Sequence, residues 1–184
     1  MDEARRRRNE LLANIKIVAT DCDGCLTDGK LYIGSDGEMF KVFSVKDGQG
    51  VRLLQANGIV PAIITTRNSA ILERRARELD IDEVFQSVGD KAAALQALAE
   101  KYGVNVKQIA YIGDDMNDLD AIRMAGISFA PADCAKQIRP YVDVVLKTDG
   151  GDGAFREAVD RILSKQVLDC AYEDIASADV ASVN

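Results

Sequence analysis

A chain of 184 residues, 47% of them hydrophobic, is long enough for one domain with a substantial core. Its formal net charge of -7 argues against a nucleic-acid partner and is compatible with an enzyme that uses a metal. It contains no histidine, which excludes Ser-His-Asp and Cys-His arrangements, histidine-nucleophile chemistry and histidine-containing zinc sites, and leaves proton transfer to carboxylates, Lys, Tyr or Cys.

The opening stretch, 1–14, is basic but has no apolar run behind it, so it reads as a solvated amphipathic helix carrying Arg5 to Arg8 and not as a signal peptide. No apolar run approaches the roughly 20 residues needed to cross a bilayer, so no membrane partner is expected. "IKIVAT" (15–20) reads as a buried strand, and "LYIGSDGEMFKVFS" (31–44) as a hairpin turning at Ser35-Asp36-Gly37. A helix over 45–58 points Val51, Leu53 and Leu54 inward and ends at Gly58. "IVPAIIT" (59–65) is a second strand. Asn68 is expected to cap the following helix, 69–80. "EVFQ" (83–86) is a short strand, and 90–103 a strong helix that stops at Gly103. "QIAYIG" (108–113), a helix over 117–126, "ISFAP" (127–131), "DVVLK" (143–147) and a last helix over 153–165 complete the pattern.

Strands and helices alternating at this spacing imply an α/β fold: a Rossmann-like, doubly wound parallel sheet with a small β-hairpin insertion. Runs apolar at every residue, such as "AIIT" and "IAYI", fit burial on both sheet faces. The plan is a helix over 1–14, one α/β domain over 15–164 and a tail over 165–184 that loses helical periodicity and orders, if at all, against a partner. The four cysteines, Cys22, Cys25, Cys134 and Cys170, show no extracellular spacing, which favours a reducing, cytoplasmic compartment. Cys22 and Cys25 form a C-x-x-C that reads as small packing residues in the absence of a second pair.

In open parallel sheets, ligands bind beyond the carboxyl ends of the strands. The residues just past each strand therefore describe a site: Asp21 and Asp23; then Thr65, Thr66 and Arg67; then Asp90 and Lys91; then "GDDMND", with Asp114, Asp115 and Asp118. Crowded carboxylates repel one another and call for a cation. Asp21 is placed to attack, Asp23 to reach a leaving oxygen, and Asp114 to share a divalent cation with them. Mg²⁺ suits such hard oxygen ligands. Lys91, opening a helix, adds positive charge toward a phosphate, and Thr65 can donate a hydrogen bond to it.

These motifs resemble those of the haloacid dehalogenase superfamily of phosphotransferases. "DCDGCLTDG" is similar to its first motif, Thr65 matches the second, Lys91 the third and "GDDMND" the fourth, over residues 15 to 163. The resemblance implies a phosphatase with an aspartyl phosphate on Asp21. Asp23 would serve as acid and then base and contribute its backbone carbonyl to the metal, while Asp118 and Asp115 support the metal shell. Only 25 residues lie between Thr65 and Lys91, which leaves no room for a cap domain. "LTDGKLYIGSDGEMFKVFSVKDGQGVRLL" and "GGDGAFRE" (150–157) resemble the small capless subgroup that acts on ulosonate phosphates such as 3-deoxy-D-manno-octulosonate 8-phosphate. That subgroup implies a homotetramer in which hairpin 30–44 closes a neighbour's active site, burying Leu31, Ile33, Phe40 and Phe43. Arg67 favours an octulosonate carboxylate. Thr66 and Lys46 stand where octulosonate enzymes usually carry Gly and Arg, so a nine-carbon ulosonate 9-phosphate is the alternative substrate. A receiver-type signalling domain would lack Asp23, and a silent tetramerising domain would not need Asp21, Asp23, Lys91 and Asp114 intact.

Overall fold

A computed structural model describes residues 3–166. The expected tail from residue 167 onward, with Cys170, lies outside the described residues. Helix α1 (Glu3–Ala13) leads into β1 (Ile17–Thr20), the hairpin strands β2 (Tyr32–Gly34) and β3 (Gly37–Phe40), and α2 (Val45–Ala56). Next come β4 (Val60–Ile64), α3 (Ala70–Glu78), β5 (Glu83–Phe85), α4 (Lys91–Tyr102), β6 (Ile109–Ile112), α5 (Leu119–Met124), β7 (Ile127–Ala130), β8 (Val144–Val145) and α6 (Ala154–Leu163). Six strands form one parallel sheet in the order β5-β4-β1-β6-β7-β8, with β2 and β3 as a separate antiparallel pair. The chain winds outward from β1 to β5, then returns to the other side of β1, so the topological switch falls beside β1.

Strand side chains alternate between two cores, as the pleat requires. Val18, Ile63, Ala110 and Ile112 pack with α1, α2, α3 and α6 through Leu12, Leu54, Leu72 and Phe155. Ile17, Ala19, Ile64, Ile109 and Tyr111 pack with α4 and α5 through Leu95, Leu98 and Ile122. Both faces are covered, which is why these strands carry almost no polar residue. Arg6, Arg7 and Arg8 of α1 are exposed, while Leu12 is buried.

Four local expectations need correction. The hairpin pairs Gly34 with Gly37, so Ser35 and Asp36 alone form the turn and Gly37 begins the returning strand. Ser69, not Asn68, caps α3: its backbone is extended and its hydroxyl accepts the Leu72 amide at 3.2 Å. The helix expected over 117–126 starts as a 3₁₀ turn (Met116–Asp118) and is helical only over α5, because polar partners draw Asp118 inward. Phe43 is not left exposed. It is half-buried against the first core, with the Arg75 guanidinium 6.0 Å from its ring centre.

Asp47, in "KDG", joins two helices. Although it lies in the first turn of α2, its Oδ1 accepts the Arg156 amide at 2.9 Å in the first turn of α6, and the Gly153 amide also donates to it. Helix α6 has no side-chain N-cap of its own, so a residue of another helix supplies it. Asp47→Ala is therefore expected to destabilise the fold by about 1–2 kcal/mol. Urea unfolding checks this, and an unchanged midpoint would contradict the capping role.

Candidate active site

Parallel register brings the sequence-distant loops together. Thr20 pairs with Ile63 on one side and Ile112 on the other, so β1, β4 and β6 end within one residue of one another. Asp21 and Thr65, the first residues past β1 and β4, and Asp114, the second past β6, accordingly emerge on one edge. Asp21 N still donates to Ile112 O at 2.9 Å and Thr65 N to Phe85 O at 2.9 Å, so both leave the sheet with their backbones fixed. They line a cleft of about 320 Å³ with Asp23, Thr66, Arg67, Asp115, Met116 and Asn117. A larger cleft, about 860 Å³, lies between α1 and the amino end of β7 and gathers Arg7, Arg8, Lys107 and Arg123. Its two acids, Glu3 and Asp143, belong to no acid cluster, and Asp143 is already bonded to Ser128, so chemistry and not volume locates the site.

At the floor of the small cleft the carboxylates of Asp21 and Asp114 and, fully buried behind them, Asp118 approach within 4.8 Å of one another, the one such group among the described residues. Lys91, 3% exposed at the start of α4, bridges two of them: its Nζ is 2.7 Å from Asp21 Oδ2 and 2.6 Å from Asp118 Oδ1. Burial opposes the ammonium charge, but the Asp118 and Asp21 carboxylates outweigh it and hold the lysine above its usual value. Asp118 is fully partnered. Its Oδ1 also accepts the Tyr111 hydroxyl at 2.7 Å, and its Oδ2 accepts the amides of Asp114 (3.0 Å) and Asp115 (3.2 Å). It therefore holds Lys91 and the 113–118 turn, with little capacity left for another ligand.

Asp21 and Asp114 are less well balanced. Asp21 Oδ1 accepts the Cys22 amide at 2.6 Å. Burial, reinforced by the Asp118 charge and opposed by Lys91, pushes its carboxyl up to about 6. Among the described residues Asp114 has no cationic partner within ion-pair distance; burial, then Asp118 and Asp21, push it up to about 7. Three acids against one ammonium leave two negative charges uncompensated among oxygen donors. That deficit and donor type fit a hard divalent cation held by Asp21 and Asp114.

Two glycines permit this crowding. Gly24 has φ +90°, and a Cβ there would collide with the Asp114 carboxylate. A Cβ at Gly113 would lie 2.5 Å from the Asp118 side chain. The glycine of "DCDG" thus lets two acidic turns approach, and that of "GDD" lets its own turn close on Asp118.

The remaining expected residues divide. Thr65 is buried, its hydroxyl accepting the Arg67 amide at 3.3 Å and keeping its own proton to donate. Thr66 is exposed and Arg67 half-buried in the cleft wall. Asp23 stands apart from the three-acid cluster. Its carboxylate is paired with Lys41 and, at 3.6 Å, with Arg67. Asp115 is exposed and caps its own turn through the Met116 amide at 2.7 Å. Lys46 is not brought into the cleft: it is exposed on α2 and lies 4.0 Å from Asp152. Cys22, Cys25 and Cys134 are free and buried, and burial raises all three thiols, against a redox pair at C-x-x-C.

Sequence reasoning missed Tyr111, Lys41 and Glu38. Tyr111 was visible as the one polar-tipped side chain in "IAYI", and Lys41 as the one cation in "MFKVF". Neither signal names a partner.

The raised carboxyls set a pH dependence. Without a cation, the folded state holds protons on Asp21 and Asp114 that the unfolded chain releases near 3.8, so these two groups cost stability as pH rises through 4 to 7. A bound cation removes that cost, and protons compete with it below about 7. Added Mg²⁺ should therefore raise the melting temperature more at about pH 8 than at about pH 5.5, relative to chelator-treated protein. Equal shifts at both pH values would contradict a cation held by these acids.

A family model described as haloacid dehalogenase-like hydrolase matches residues 42–126. The chain is 46% identical over 155 residues to the 3-deoxy-D-manno-octulosonate 8-phosphate phosphatase of Haemophilus influenzae, covering 84% of this chain and 86% of that protein. The solved cobalt-bound form of the Haemophilus influenzae phosphatase matches with a TM-score of 0.83 over 85% of this chain and 91% of that one. The Moraxella catarrhalis phosphatase, solved with a magnesium ion, a phosphate ion and a KDO molecule, matches at 38% identity and a TM-score of 0.83, over 96% of this chain and 97% of that one. Shared fold, shared motifs and identity over most of both chains lead to one conclusion: this chain belongs to the haloacid dehalogenase-like hydrolases, on the branch that includes the 3-deoxy-D-manno-octulosonate 8-phosphate phosphatases.

Proposed function

We propose that this chain is a Mg²⁺-dependent phosphatase that hydrolyses 3-deoxy-D-manno-octulosonate 8-phosphate to the free sugar acid and phosphate. The observation that carries the reading is the Asp21–Lys91–Asp118 bridge beside Asp114, at the carboxyl edge of a fold shared with phosphatases of that substrate. When bound, the divalent cation supplies neutralisation of the phosphoryl oxygens and of the acids around it.

The side chains then have distinct tasks. An Asp21 carboxylate oxygen attacks phosphorus, forming an Asp21–phosphate bond as the bond to the sugar oxygen breaks. Lys91 and the Thr65 hydroxyl bind phosphoryl oxygens, and Lys91 also fixes the direction of the Asp21 carboxylate. Asp23 gives its proton to the departing sugar oxygen. It then takes a proton from water, which attacks the phosphorus, releases inorganic phosphate and restores Asp21. Arg67, in the cleft wall, is placed for the substrate carboxylate, which favours a sugar acid over a neutral sugar phosphate.

The apolar row Leu31, Ile33, Met39, Phe40 and Val42 is exposed, and Ile33 and Met39 each expose 64% of their surface. That row supports a homotetramer in which the hairpin closes a neighbour's cleft. No described helix is long and apolar enough to cross a membrane. The free, buried thiols fit a reducing cytoplasmic site of action.

Asp21→Asn should lower phosphate release from octulosonate 8-phosphate by at least about a thousandfold, since the attacking oxygen is lost. Retained turnover would overturn the assignment. Arg67→Ala should raise KM for octulosonate 8-phosphate by about tenfold or more, while leaving KM for a neutral sugar phosphate within about threefold. A panel that includes nine-carbon ulosonate 9-phosphates separates the two sugar-acid classes, and faster turnover of those acids would reassign the substrate.

A further inference from the structure

Asp23 lies on a loop, and no backbone amide donates to its carboxylate among the described residues; its side chain is held from elsewhere. Lys41, one residue beyond β3, has a side chain only 2% exposed and donates to Asp23 Oδ1. The same ammonium lies 3.1 Å from Glu38 Oε1, and Glu38 in turn accepts the hydroxyl of Ser69, the N-cap of α3. The hairpin is thereby tied to its own chain's cleft at two points. Arg67 behaves differently. Its Nε is 3.6 Å from Asp23 Oδ2 and its guanidinium 3.9 Å from Glu38, and Nε is buried without a hydrogen bond.

The two oxygens of Asp23 are therefore unequal: Oδ1 is clamped by a buried ammonium, while Oδ2 faces Arg67 with no close donor. We propose that Lys41 is a positioning residue for the reaction, holding Asp23 by Oδ1 so that Oδ2 is the oxygen that passes the proton to the leaving group and takes it from water. This rests on the phosphatase reading. A buried ion pair is a poor source of net stability, because desolvation offsets most of its attraction and an apolar replacement often serves as well. Its value here is geometric. A carboxylate free to turn about two side-chain torsions would seldom present an oxygen to the leaving group, whereas a clamped one is pre-oriented.

Leaving-group dependence tests this, because an alkoxide must be protonated as it leaves and nitrophenolate need not be. The comparison uses the full chain with Mg²⁺, and kcat/KM, which reports the steps up to phosphoryl transfer. Lys41→Met should lower kcat/KM for octulosonate 8-phosphate by about tenfold or more and for p-nitrophenyl phosphate by less than about threefold. Lys41→Arg should recover most of the loss on the sugar phosphate. Equal losses on both substrates, no loss on either, or an Arg variant no better than Met would overturn the role. If Lys41→Met fails to fold by circular dichroism, the double variant Lys41→Met/Glu38→Gln removes the stranded Glu38 charge and must show the same split between substrates. No turnover of either substrate by the unsubstituted chain, or turnover that survives Asp21→Asn, would sink the phosphatase reading itself and the Lys41 role with it.

Discussion

The ammonium of Lys91 lies between the carboxylates of Asp21 and Asp118, with Asp114 close by and, among the described residues, without a cation of its own. Three acids in a partly dry pocket share one positive charge, and most of the site follows from that imbalance. Lys91 removes one unit of negative charge and fixes two side chains. The remaining deficit makes the pocket a receptor for a divalent cation and, through it, for a phosphoryl group. Burial, reinforced by the neighbouring carboxylates, pushes Asp21 and Asp114 toward neutral pH. A buried pair such as Lys91–Asp118 contributes little net stability on its own. Its consequence is orientation, since Lys91 holds both carboxylates at 2.7 and 2.6 Å.

The scaffold meets this constraint by register. Because β1, β4 and β6 are parallel and end within a residue of one another, the first residue past β1 and β4 and the second past β6 reach the same edge. Tyr111 shows how closely core and site are joined. It lies within β6, buried on the α4 face, yet its hydroxyl reaches Asp118. The α4 face thus supplies both Lys91 and Tyr111 to one carboxylate. Packing of α4 on the sheet is therefore a condition for the charge arrangement as well as for stability.

The hairpin has two characters. Its polar side chains, Glu38 and Lys41, turn back onto Asp23 and Ser69 of the same chain. Its apolar ones, Leu31, Ile33, Met39, Phe40 and Val42, face outward. Tyr32 and Phe40 stack within the hairpin, 4.4 Å between ring centres, which stiffens a two-stranded unit too small to be stable alone. One short insertion thus fixes a side chain of its own cleft and leaves an apolar row exposed.

Apolar runs of four to six residues, alternating with helical periodicity, were sufficient to determine the α/β class and the places where strands end. The acids, hydroxyl and lysine at those ends could be read as one constellation because parallel strands leave no other edge for them. Glycine and capping chemistry fixed Gly103 and Asp90 at the ends of α4, where Asp90 accepts the Ala93 amide at 2.9 Å. The division of labour among the acids could not be read this way. Asp23 and Asp118 look alike in sequence, yet one is paired across the cleft to a hairpin lysine and the other is locked by Lys91, Tyr111 and two amides. Lys46 and Lys41 are equally plain lysines, and only packing decided that one stays in solvent and the other is buried beside Asp23. Strand-end positions are set by local pattern and pleat, which a linear chain carries in itself. Which carboxylate meets which cation depends on contacts between residues far apart in the chain, such as Asp23 with Lys41 and Asp21 with Lys91, and only the closed three-dimensional structure makes those contacts.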